Sequence, residues 1–160
     1  IQSSQIILKW PNDLLLNNKK VGGILLESVD SNLLKERPLV IGFGVNLFSC
    51  PSSDILENGS IAVDCLQNNL SRAPDAELFL KMLIPIFDKW DKLFTNQGFE
   101  KIREAFLDRT FPIGEKIKVN MIKNSVIGNF CGLNDDGALL LDSLAGPINV
   151  TAGDVFLVGK

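Results

Sequence analysis

The spacing of apolar positions along this chain changes twice, from short blocks to a helical period and back to short blocks. Ile6-Ile7-Leu8 is a brief apolar run closed by Pro11 and the turn pair Asn12-Asp13. Leu14-Leu15-Leu16 and residues 21–29 flank the polar tetrad Asn17-Asn18-Lys19-Lys20. Two apolar runs around residues that tolerate turn dihedrals predict a hairpin. Residues 39–47 predict a third strand, in which Gly42 and Gly44 strip one face of side chains. Bare positions of that kind predict the close approach of a ligand or of another backbone. Residues 50–58, rich in Ser, Asp, Pro and Asn, predict an exposed loop, and a short helix is expected over 61–70.

The strongest helical signal covers 75–96. Leu78, Phe79, Met82, Leu83, Ile86, Phe87, Trp90, Leu93 and Phe94 recur at the spacing of one buried stripe. Asp75 suits an N-cap, and Pro85 inside the pattern predicts a bend. A second amphipathic helix is expected over 99–108 through Phe99, Ile102 and Phe106; the pair reads as scaffold. Beyond Thr110 come short β runs at 113–122, 126–133, 138–144, 148–150 and 155–158, separated by turn residues such as Asp135-Asp136-Gly137 and Gly153-Asp154. Short strands joined by tight turns predict a small barrel. The expected division is therefore a first unit over 1–110 and a second over 111–160.

Composition narrows the chemistry. A chain of 160 residues, 46% hydrophobic and 22% charged, suits one globular domain or a domain with a small module. With 16 basic against 19 acidic residues there is no basic surplus for nucleic acid, so a small anion would be held by a few placed cations. No apolar run approaches the roughly 18 residues that span a bilayer, and no secretory signal pattern is present. Cys50, Cys65 and Cys131 lie far apart, without metal-ligand or redox spacing; reduced thiols and a cytoplasmic setting are expected. Histidine is absent, which removes Ser-His-Asp and Cys-His machinery from within the chain. The start at Ile1, running straight into a strand, reads as a piece of a longer protein.

Three segments carry candidate chemistry. Lys9-Trp10-Pro11-Asn12-Asp13 reads as a strand end with a turn, or as a lysine, an amide and a carboxylate set at a cleft, where Asp13 and substrate phosphates could share a magnesium ion. Lys19-Lys20-Val21-Gly22-Gly23-Ile24-Leu25-Leu26-Glu27 reads as a hairpin with a solvated lysine pair, or as a lysine placed to stabilise charge beside bare backbone. Each glycine within a strand costs about 0.5–1 kcal/mol relative to alanine, a cost that a flat ligand against the backbone would explain. Gly42-Phe43-Gly44-Val45-Asn46 is no dinucleotide fingerprint, because Leu47 stands where a third glycine is needed.

In this order and spacing the three segments resemble the biotin protein ligase family, whose pattern runs K-W-P-N-D, K-x-x-G-I-L-x-E and I-G-x-G-x-N. This chain carries them at Lys9 to Asp13, Lys20 to Glu27 and Ile41 to Asn46. The resemblance implies an α+β fold: a partial mixed β-sheet with packed helices, of the class II synthetase-like, biotin/lipoate ligase type, then a small SH3-like β-barrel. It implies a two-step reaction using ATP, Mg²⁺ and biotin, in which biotinyl-AMP forms and its acyl group passes to a lysine of a biotin carboxyl carrier protein of a carboxylase. By resemblance, Lys20 is the catalytic cation at the carboxylate and α-phosphate. Lys9, Asn12 and Asp13 lie at the nucleotide phosphates, Asp13 also at the metal. Gly22, Gly23, Ile24 and Leu25 face biotin, while Gly42, Gly44, Val45 and Asn46 lie against the adenylate. The Gly-Arg-Gly-Arg loop found upstream in the family, and the DNA-binding helix-turn-helix of some members, are not in this sequence. An impaired chain without DNA binding is therefore expected, and pairing of two copies through the sheet. A lipoate ligase-like enzyme and a non-catalytic interaction remnant stand beside this reading.

Overall fold

A computed structural model of the chain describes residues 5–28, 38–51 and 61–158. Strands β1 (Ile6–Lys9), β2 (Asp13–Leu16), β3 (Lys19–Ser28) and β4 (Leu39–Val45) form an antiparallel sheet in the order β1-β2-β3-β4. The predicted hairpin is β2–β3, with a turn tighter than the polar tetrad suggested. Only Asn17 and Asn18 turn, at φ of 51° and 62°. Asparagine tolerates the left-handed region that a two-residue hairpin turn needs. Lys19 and Lys20 are thereby released into β3.

Register then aligns the first and third motifs. Lys9 lies opposite Asp13, Asp13 opposite Gly23, and Gly23 opposite Gly44, which makes one lateral row across all four strands. Directly opposed residues project to the same face of a sheet. Lys20 reaches that face by an irregularity. Strict alternation would put it with Gly22 on the other side, but the β2–β3 register shifts between Leu14 and Leu15, so that Lys20 pairs with Leu15. A bulge of this kind re-aims a side chain, here toward Asp13.

The two glycines of β3 have different reasons to be glycine. A Cβ on Gly22 would meet the carbonyl oxygen of Gly44 at 2.7 Å, so the bare position first serves the packing of β4. A Cβ on Gly42 would find only the oxygen and Cβ of Leu25, at 3.7 and 3.8 Å. Gly22→Ala is expected to destabilise by about 1–3 kcal/mol, the range for forcing atoms into filled space, while Gly42→Ala leaves the melting temperature nearly unchanged. Thermal denaturation of the two variants checks this, and equal melting temperatures would contradict it.

A second antiparallel sheet follows, made of β5 (Lys116–Asn120), β6 (Ser125–Leu133), β7 (Leu139–Ser143), β8 (Gly146–Val150) and β9 (Asp154–Leu157) in the order β8-β7-β6-β5-β9. These match the five predicted β runs. Alternate residues Ile117, Val119, Phe130, Leu139, Leu141, Val150 and Val155 point inward and are buried. Trp10, Leu15 and Phe111 pack into the same core. The Trp10 indole N–H donates to the Gly137 carbonyl at 3.0 Å, and the Leu8 amide to the Arg109 carbonyl at 2.8 Å. The first motif is thus clamped to the second sheet by its tryptophan.

Helices α1 (Ala76–Gln97) and α2 (Phe99–Leu107) lie where the periodicity put them. Asp75 caps α1 by accepting from the Leu78 amide at 2.8 Å, and Gly98, at φ 75°, makes the break between the two. The helix continues through Pro85. The expected burial of its stripe is not observed: no residue of α1 is buried, and Leu78, Met82, Ile86 and Phe94 are at least half exposed. Phe87 meets Phe43 edge-on with ring centroids 6.0 Å apart, but among the described residues little else covers that face. Periodicity reports which side of a helix is apolar, not what lies against it.

The helix expected over 61–70 is also absent. Val63 instead makes an isolated parallel bridge to Lys20, and only Leu66–Asn68 forms a 3₁₀ turn. Side chains explain the difference. Asp64 accepts from the Cys65 amide at 2.8 Å, and Asn69 donates to the Cys65 carbonyl at 3.0 Å. Short polar side chains that capture nearby backbone compete with helix formation. The loop expected over 50–58 lies outside the described residues apart from Cys50 and Pro51.

Candidate functional site

The row of register-aligned residues forms part of the wall of one open cavity of about 1140 Å³. Every residue singled out from sequence lines it: Lys9, Asn12, Asp13, Lys20, Gly22, Gly23, Ile24, Leu25, Gly42, Gly44, Val45 and Asn46. Ten-residue β3 supplies the middle, β4 one side and the β1–β2 corner the other. Gly42 and Gly44 are exposed to it, with nothing but backbone and one leucine near their missing side chains.

Charge concentrates at Asp13. Lys9 Nζ lies 2.7 Å from Oδ2, and Lys20 Nζ 2.5 Å from Oδ1. The two lysines differ in solvent contact: the Lys9 side chain is 4% exposed and that of Lys20 41%. Lys9 also stands over the Phe156 ring, 5.9 Å from its centroid, an arrangement that favours a cation. Burial by itself would push the Asp13 carboxyl up. Hydrogen bonds from Lys20 and then Lys9, with their charges, outweigh it and hold the carboxyl below its ordinary range. The result is an ionised carboxylate between a sealed cation and an accessible one. Only the accessible one, Lys20, has the freedom to turn toward an incoming anion.

Asn12 and Asn46 serve the framework with part of their side chains. Asn12 Nδ2 donates to the Ile24 carbonyl at 2.5 Å while its own carbonyl accepts from the Ile24 amide at 2.9 Å. Asn46 Nδ2 donates to the Asp64 carbonyl at 3.0 Å. A magnesium ion at Asp13 would have to share or displace a lysine, because each carboxylate oxygen carries one in this structure. Among the described residues no three His, Cys, Asp or Glu side chains gather as a metal cage.

Sequence reasoning missed the residues that reach the cavity from elsewhere: Pro51, Ile61, Val63, Asp154 and Phe156. Their spacing from the motifs carries no signal; only the folding of the second sheet and of 61–64 against the first brings them in. It also missed Asp64. That carboxylate is buried and ionised, held below its usual range by Asn68 first, then by the Cys65 amide, against the opposing effect of burial, with Asn69 and Lys19 adding to the lowering.

Residues 1–46 match the family model described as Biotin/lipoate A/B protein ligase family, and residues 113–158 that of the Biotin protein ligase C terminal domain. The Biotin--[acetyl-CoA-carboxylase] ligase of Paracoccus denitrificans is 38% identical over 157 residues, covering 98% of this chain and 65% of that protein. The Bifunctional ligase/repressor BirA of Bacillus subtilis (strain 168) is 28% identical over 153 residues, 96% of this chain and 46% of that one. Among solved structures, the apo biotin protein ligase from Aquifex aeolicus aligns with a TM-score of 0.76 at 24% identity, over 95% of this chain and 64% of that one. The same ligase in complex with biotin and ATP aligns with a TM-score of 0.71 at 24% identity, over 95% and 61%. At that identity the structures speak for the fold. This chain spans less than two thirds of the length of each of these relatives.

Proposed function

Because this chain belongs to the biotin protein ligase family, we propose that its cavity binds biotin and ATP, forms biotinyl-AMP and presents it to an acceptor lysine. The observation that carries the reading is the meeting, in one cavity, of the bulge-directed Lys20 amine, the Asp13 carboxylate and the bare strand face at Gly42 and Gly44. In the first step a biotin carboxylate oxygen attacks the α-phosphorus of ATP and pyrophosphate departs. Negative charge gathers on the α-phosphoryl oxygens, where a placed cation does most for the rate. Lys20 supplies it, swinging from Asp13 toward the phosphate. In the second step the neutral amine of an acceptor lysine attacks the acyl carbon, an amide bond forms, AMP leaves and the amine gives up its proton.

Lys9 has a different part from the phosphate contact that the resemblance suggested. Sealed behind Asp13 and Phe156, it fixes the carboxylate that in turn parks Lys20. Gly23 and Leu25 share a face with Gly42 and Gly44 by register, which gives a flat ligand a floor of backbone and one aliphatic side chain. Gly22, Ile24, Val45, Asn12 and Asn46 hold that floor in place. Magnesium enters with the ATP phosphates; no step here is assigned to a metal held by Asp13.

The acceptor in this reading is a biotin carboxyl carrier protein of a carboxylase, and the setting the cytoplasm. No helix among the described residues is long and apolar enough to cross a membrane, and the formal charge of −3 offers DNA no net positive field. Leu39 and Val40 are exposed on β4, which stands at the end of the strand order, so pairing of two copies would run along that edge. The family model over residues 1–46 covers biotin and lipoate ligases alike, so lipoate is the control substrate. ATP–pyrophosphate exchange by the whole protein is expected to depend on biotin and not on lipoate. Exchange that follows lipoate, or none with either acid, would overturn the reading.

A further inference from the structure

We propose that Asp64 is a positioning residue for the site, holding the Lys20 strand segment in the register that aims its amine at Asp13. The proposal deepens the functional reading above and rests on it for its kinetic part. Asp64 is buried at 8% exposure, and neither it nor Cys65, Asn68 or Asn69 is among the residues lining the cavity. Its carboxylate accepts from the Cys65 amide at 2.8 Å, Asn68 Nδ2 at 2.7 Å and Asn69 Nδ2 at 3.2 Å. Lys19, half exposed, stands 3.7 Å away and adds little.

The main chain on either side of this anchor grips both halves of the site. The Lys20 amide donates to the Ala62 carbonyl at 2.8 Å, and the Asp64 amide donates to the Lys20 carbonyl at 2.9 Å. The Asp64 carbonyl accepts the Asn46 side chain at the end of β4. Asn69 in turn accepts from Asn17, in the turn that launches β3, at 3.0 Å. Lys20 lies where the β2–β3 register has just slipped. A residue beside a bulge has lost part of its ladder support, and the Ala62–Asp64 segment replaces it from the opposite side. A carboxylate suits this post because every side-chain and backbone donor around it needs an acceptor. An amide in its place turns one acceptor into a donor facing other donors.

The test combines two readouts on the whole protein. In Asp64→Asn, and separately in Asn68→Ala, the amides of Lys20 and Asp64 are expected to exchange hydrogen roughly ten-fold faster, while those of β6 and β7 keep their protection. Biotin-dependent adenylate formation is expected to fall roughly ten-fold in Asp64→Asn. Combined with Lys20→Ala, the second change should add less than about two-fold, because residues that act through one another are not additive. Unchanged amide protection in both variants, or losses that multiply in the double variant, would overturn the positioning role. If wild type forms no adenylate, the functional reading fails, and amide exchange alone decides the part of Asp64.

Discussion

Lys20→Ala is expected to lower biotin-dependent ATP–pyrophosphate exchange by about 10²–10³-fold, the usual loss when one donor to a developing charge is removed. The fold should hardly notice. The Lys20 side chain is 41% exposed and its pair with Asp13 is reachable by water, so the stability change stays within about 1 kcal/mol. Its backbone bonds to Ala62 and Asp64 are kept by alanine. The separation of effects is the informative part: exchange collapses while the melting temperature stays within a few degrees. A variant that loses both in proportion would show Lys20 to be a structural residue.

Asp13→Ala should show the opposite balance. Lys9 is 4% exposed, and without Asp13 its charge keeps no ion-pair partner among the described residues, with the Phe156 ring beside it. Removing one partner of a buried pair leaves an uncompensated charge, and about 3–5 kcal/mol is the usual loss. For a chain of this size each kcal/mol moves the melting temperature by roughly 2–4 °C. A fall of roughly 10 °C or more is therefore expected, with much of it restored when Lys9→Met removes the stranded cation. Lys20 cannot account for such a loss, since it can turn to water.

The same pair sets an acid limit. The folded Asp13 carboxyl lies below its ordinary range, so its contribution is complete above the ordinary aspartate pKa of about 4 and is lost as pH falls through the lowered folded value. Denaturation followed from neutral to acid pH should show wild type converging on Asp13→Ala at the acid end. A constant gap at all pH values would contradict the ion-pair account.

Much of the candidate site, as a set of residues lining one cavity, was legible in the chain because its signals are local. Bare positions Gly42 and Gly44 sit within one strand, and the Asn17-Asn18 turn with the lysines beside it within one hairpin, where alternation and turn preference speak directly. The helices were legible for the same reason. What escaped were features set by register and by distant packing. The bulge opposite Leu14 and Leu15 decides which face Lys20 takes, yet a one-residue slip leaves no trace in apolar alternation. Asp64 hid in a segment whose composition suggests a short helix, because its hydrogen-bond partners lie on Cys65, Asn68 and Asn69 and not in a helical ladder. Gly22 was read as room for a ligand, whereas the carbonyl of Gly44 already takes that space. Phe156 lies far beyond Lys9 in the chain, and only the folding of the second sheet against the first brings them together.

A structure of the whole protein with biotinyl-AMP bound tests the central claim most directly. The account predicts the phosphate oxygens within hydrogen-bond distance of Lys20 Nζ, drawn away from Asp13, with the adenylate lying along the bare face of Gly42 and Gly44. A ligand seated elsewhere, or a Lys20 amine that stays on Asp13 with no oxygen of the ligand near it, would contradict the account.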